Sequence, residues 1–230
     1  MPSSPASREG QPLTATDQLA WRQHIPALAS AAAGIIRASD AWDAVSDSFC
    51  DKDGWPIDEK GYADGKVTRD AEAWKHVEVF LAYGPEVLAG VRAAAHGADY
   101  VEGPVSADLR RLRGIDTTLE RAGRIRHEWD QIMALMDDSL PGSREIYASQ
   151  AQEIRNSEGW HYADELSSQG LALTRAAGYL AERADHDRAS QAGRAQAALA
   201  RSALGIREAA SPPSPPAPPA SNPKPPRHSR

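Results

Sequence analysis

The sequence predicts an all-α protein. Apolar residues recur every three or four positions over long stretches, alternating β-branched runs are missing, and helix formers dominate, with 42 alanines in 230 residues. The expected architecture is a helical bundle of two tandem-duplicated helical units, followed by an Ala-rich C-terminal helix and a disordered Pro-rich tail.

The first long helix is expected from about Pro26 to Phe49, with Asp17 capping a shorter helix before it and Pro26 suited to a first turn. Its apolar stripe is Leu28, Ala32, Ile35, Ala38, Trp42, Val45 and Phe49. The strongest helical pattern runs from Ser106, a plausible N-cap after Gly103 and Pro104, to about Asp138. Its stripe is Leu109, Leu112, Ile115, Leu119, Ala122, Ile125, Trp129, Ile132 and Met136, ahead of a Pro141-Gly142 stop. The seven positions of the first stripe, each plus 87, fall on Ile115 to Met136 of the second.

The correspondence extends past the stripes. Arg37, Trp42, Asp43 and Asp51 match Arg124, Trp129, Asp130 and Asp138, and Pro56 and Tyr62 match Pro141 and Tyr147. Arg69, Asp70, Glu72, Trp74 and Gly84 match Arg155, Asn156, Glu158, Trp160 and Gly170. Residues 28–95 and 115–181 therefore read as two copies of one unit: a long helix, a connection, and a second helix opened by Arg-x-x-Glu-x-Trp. The connection is Asp51 to about Gly65 in the first copy and about Leu140 to Arg144 in the second. Gly84-Pro85 is expected to break the second helix of the first copy, whereas Gly170, with no proline after it, lets its counterpart continue. The two tryptophans of each unit are expected to share an apolar pocket, with Glu72 and Glu158 near the starts of their helices.

The domain boundaries follow. Residues 1–16 are small, polar and proline-bearing and are expected to be disordered; 17–183 form the helical domain; 184–208 form the Ala-rich helix. Residues 209–230 form the tail, in which 211–230 hold nine of the 17 prolines. Pro213–Pro216 and Pro223–Pro226 have PxxP spacing, which suits an aromatic groove, although composition alone produces that spacing in a solvated tail.

Several chemistries find little support. The single Cys50 permits neither an intrachain disulfide nor a cysteine zinc site. Residues 1–16 lack the apolar run of a secretory signal, and no stretch is long enough to span a bilayer, so a cytoplasmic location is expected. In Asp51-Lys52-Asp53-Gly54, placing the glycine at calcium-loop position 6 puts Phe49 at 1 and Lys60 at 12, which points to an ordinary turn. Glu158-x-x-His161 and Glu72 with His76 have di-metal spacing, but their histidines do not repeat between the copies. No P-loop, dinucleotide fingerprint or nucleophile elbow is present, so no cofactor is implied and the enzyme class stays open but unfavoured.

Two basic faces remain. Arg110, Arg111, Arg113, Arg121, Arg124 and Arg126 lie on one helical segment among Asp116, Glu120 and Glu128, and Arg188, Arg194, Arg201 and Arg207 lie on the last. Such arginines can contact phosphates, but a net charge of −6 opposes long-range attraction, and pairs such as Glu120–Arg124 suit a solvated face. The favoured expectation is a non-enzymatic interaction or assembly protein that packs through helix faces in the manner of a coiled coil, with a protein partner or a second copy and no membrane contact. The alternatives are a nucleic-acid accessory protein using those arginines, and a helical-bundle metalloenzyme.

Overall fold

The structure, a computed structural model, describes residues 20–137 and 142–209. The expected N-terminal segment and Pro-rich tail lie outside these residues, as does Asp17. The described residues are all helical, apart from turns and one isolated bridge between Cys50 and Pro56. A 3-10 turn at Trp21–His24 leads into α1 (Ile25–Ser46), which has Pro26 in its first turn. Then follow α2 (Glu59–Ala94), the short α3 (Gly97–Val101) and α4 (Ser106–Arg111), α5 (Ile115–Asp137) and α6 (Ser143–Ala209).

The contacts arrange four long helices as an up-down-up-down bundle. His24 meets Tyr83 and Gly34 meets His76, so α1 and α2 run antiparallel. Thr118 bonds Glu165 and Trp129 bonds Glu158, so α5 and α6 do likewise. Phe80, Leu28, Ile35, Ile115, Leu166, Leu173 and Leu180 form the fully buried centre. The pattern is that of apolar stripes turned inward on four long helices, the second and third joined through α3 and α4.

Four expectations are corrected. First, the helix from Ser106 is interrupted: α4 ends at Arg111, and Gly114, with φ +92°, turns the chain before α5. Only glycine takes that conformation cheaply, and Leu109, Leu112, Ile115 and Leu119 are buried on both sides of the turn. Second, α2 passes through Pro85 unbroken. The ring is exposed, so water can solvate the carbonyl it strands, and Val87, Leu88 and Val91 beyond it are buried. Third, the Ala-rich helix is not separate: α6 runs without a break from Ser143 to Ala209. The first compact unit nevertheless ends at Ala184, and every described side chain from 185 to 203 is exposed.

Fourth, Arg-x-x-Glu-x-Trp lies within the helices and does not open them. α2 begins at Glu59, where the Asp58 carboxylate accepts the Gly61 N–H at 2.9 Å, so Arg69 and Glu72 lie well past the first turn. In the connection before it, Asp51 accepts the N–H groups of Asp53 and Trp55, both at 2.9 Å, and Gly54 takes φ +84°. Asp51-Lys-Asp-Gly is thus a side-chain-stapled turn.

Candidate interaction surface

At the bundle centre, α2 and α6 cross through two Arg-Trp contacts. The Arg69 guanidinium lies 3.7 Å from the Trp160 ring centroid, and Arg155 lies 5.2 Å from that of Trp74. Each arginine also forks onto its sequence neighbour. Arg69 Nε and Nη2 donate to one Asp70 oxygen at 2.8 and 2.6 Å; Arg155 Nε and Nη2 donate to the Asn156 amide oxygen at 3.1 and 2.9 Å. Burial pushes the Asp70 carboxyl above the ordinary range despite Arg69, and burial also lowers Arg155, with Glu78 and Asp130 opposing.

The tryptophans do not pair within units as expected. Trp74, 2% exposed, packs across onto α6, where a Cβ on Gly159 would come within 2.2 Å of its ring, and its Nε1 donates to Glu78 at 3.0 Å. Trp42 stacks on Phe49 and meets Tyr62 edge-on, apart from the core cluster that holds Trp74. Trp129 Nε1 donates to Glu158 at 3.2 Å. The reason is geometric: each buried indole sits over a glycine of a neighbouring helix, Trp42 where a Cβ on Gly65 of α2 would come within 2.1 Å and Trp74 where one on Gly159 of α6 would come within 2.2 Å, so the two rings fill different seams.

The arginines singled out in the sequence sit in separate surroundings. Arg110, Arg111 and Arg121 are exposed; Arg113 lines a small hollow with Arg92 and Tyr100; Arg124 pairs with Glu120 at 3.2 Å. Arg126 borders a groove between α2 and α5 whose rim also carries Asp116, Glu120 and Arg92. Arg188 pairs with Asp185 at 2.8 Å, Arg194 and Arg201 bond the carbonyls of Ser190 and Ala197, and the Arg207 side chain lies outside the described residues. Of the di-metal candidates, Glu72 pairs with Lys75, His161 packs on Tyr162, and burial lowers His76, which lies against Gly34. Among the described residues no three His, Cys, Asp or Glu side chains group as metal ligands.

The chain matches no family model, no curated protein and no solved structure. What it presents is surface. No described helix is long and apolar enough to cross a membrane. Large apolar side chains nonetheless face outward at the end of the α5–α6 pair nearest its connection: Leu135 is 70% exposed, Tyr147 53%, Ile154 45% and Ile132 37%. The α1–α2 end differs, since Tyr62 is tucked against Trp42 and the connection carries the exposed Trp55 and Ile57. The stripe rule finds inward residues, and Leu135 lies off the stripe of its helix.

Proposed function

We propose that this chain is a non-enzymatic assembly protein, built from two copies of a helical hairpin and self-associating through the open face of α5 and α6. Three reciprocal relations support the duplication. Arg69 on Trp160 mirrors Arg155 on Trp74; Arg69 on Asp70 mirrors Arg155 on Asn156. A Cβ on Gly84 would lie 3.4 Å from Leu119 as one on Gly170 would lie 3.3 Å from Ala32, and Ala32 and Leu119 are themselves matched positions. A chance alignment of helical stripes gives no reason for contacts to exchange in this way.

The observation that carries the function is the outward apolar set. At matched positions the first copy has Ser48 and Thr68 where the second has Leu135 and Ile154, and all four are exposed. The fold therefore accepts polar residues there, and packing within the chain does not require the apolar ones. Apolar side chains grouped on a surface mark an association site. Sedimentation of the full chain at micromolar concentration should give a mass above the monomer's. Leu135→Asp with Ile154→Asp should return it to monomer with helical circular dichroism unchanged. A monomeric wild-type chain, or a variant pair that associates as before, defeats the reading.

A further inference from the structure

The connection between α1 and α2 lifts two large apolar side chains into solvent: Trp55 is 72% exposed and Ile57 71%. The turn that carries them is held firmly. The Asp51 carboxylate accepts the Trp55 N–H at 2.9 Å, the Asp51 N–H donates to the Trp55 carbonyl at 2.8 Å, and the Ile57 N–H donates to the Phe49 carbonyl at 2.8 Å. Pro56, between the two apolar residues, has a fixed φ. A tryptophan presented on such a turn docks with little ordering cost, and burying it removes about 150–250 Å² from water. Its surroundings are acidic: from Asp43 to Glu59 six acids stand against Lys52 alone.

A receptacle of opposite character lies farther along the bundle. Between α2 and α5 is a groove of about 550 Å³. The exposed Pro85 and Ala89 and the half-buried Leu81 and Gly123 wall it, above the buried Leu88 and Leu119. Gly123 leaves it open; the matched position of the first unit carries Ile36. Both acids of its rim are taken, Asp116 by Arg92 and Glu120 by Arg124. Arg126, which makes no ion pair among the described residues, leaves the rim positive. The surrounding stretch is basic as well, since residues 110–126 hold six arginines against those two acids.

We infer that Trp55 and Ile57 of one molecule dock in the α2–α5 groove of a second molecule of this chain, the acids around the loop facing the arginines around the groove. The loop cannot reach its own groove, because α2 rises about 33 Å between Glu59 and Leu81. Loop and groove are different surfaces, so the contact is heterologous: each molecule keeps one of them free, and association runs head to tail. A tryptophan seated in a pocket is the common anchor of protein contacts, and an arginine at the rim can lie over the indole face. The contact does not rest on the α5–α6 face. It gives the arginines of 110–126 an acidic protein partner in place of phosphate. With two anchors it is a small interface, and therefore a weak one.

The test is made in chains carrying Leu135→Asp and Ile154→Asp, so that the α5–α6 face takes no part. At roughly 0.5 mM, enough to populate a submillimolar contact, sedimentation should show this parent associating, and less so as salt is raised. Trp55→Ala with Ile57→Ser removes the loop's anchors. Gly123→Ile fills the groove, where a Cβ would meet only Leu81, at 3.8 Å. Each blocked variant alone should stay monomeric. An equimolar mixture of the two retains one intact loop and one intact groove, and should give a one-to-one heterodimer and nothing larger. Arg126→Glu, at an exposed position, should act as Gly123→Ile does, so the result does not hang on the folding of one variant. A parent that stays monomeric at this concentration, a blocked variant that associates as the parent does, or a mixture that remains monomeric overturns the inference. Failure of the α5–α6 reading shows separately, in the wild-type chain at micromolar concentration.

Discussion

Three glycines of α6 allow one chemical change to be made in two kinds of surroundings. Gly→Ala inside a helix gains about 1 kcal/mol from backbone propensity wherever it is made. At Gly178 nothing lies within 4 Å of the new Cβ, so Gly178→Ala should stabilise by about that amount. At Gly159 the new methyl would lie 2.2 Å from the Trp74 ring, and at Gly170 2.2 Å from the Phe80 ring. Trp74 is 2% exposed and Phe80 is fully buried, so neither ring has room to withdraw. Forcing a methyl into such a core costs about 1–3 kcal/mol, which equals or exceeds the propensity gain. Relative to Gly178→Ala, the other two should therefore be less stable by about 1–3 kcal/mol, or about 2–12 °C in midpoint for a chain of this size. Urea and thermal unfolding of the three variants measure this directly. If Gly159→Ala and Gly178→Ala shift stability equally, the seam between α2 and α6 is not closed on the tryptophan and the account of the core is wrong.

Two further expectations follow from burial and charge. Trp74→Ala should cost about 3–5 kcal/mol and Trp42→Ala somewhat less, the half-buried Trp129 and Trp160 less again, while Trp55→Ala should leave the unfolding midpoint nearly unchanged. For pH, Arg183 holds the Asp99 carboxyl and Arg92 the Asp116 carboxyl below their ordinary value of 3.8, so the stability they contribute is present above that pH and lost as pH falls through their depressed values. Asp70 has the opposite sign: burial raises it, so its contribution is present below 3.8 and lost as pH rises through its elevated value. Asp70→Asn, which copies the Arg155–Asn156 pair, should remove that loss and leave the neutral-pH midpoint within a few degrees; a collapse of the fold would show that Arg69 requires an anion.

The sequence alone determined that the chain is helical, where the first long helix begins and ends, and most of the residues that face inward, although Val45 and Ile132 of the stripes are exposed. A three-and-four spacing is a local property, and Leu28, Ile35, Ile115 and Leu119 bury wherever the bundle places them. Helix ends were read less well: Gly114 was outweighed by the stripe around it, and Pro85 weighed too heavily because its exposed side was invisible.

What only the tertiary structure decided is which elements meet. Sequence neighbours suggested that Trp42 would pair with Trp74, and Trp129 with Trp160. In the bundle Trp42 seats at Gly65 between α1 and α2, whereas Trp74 and Phe80 seat at Gly159 and Gly170 between α2 and α6. Trp74 therefore lies under Arg155 and Trp160 under Arg69. The outward apolar residues were hidden for the same reason: whether Leu135 and Ile154 are covered is decided only when helices distant in sequence pack side by side.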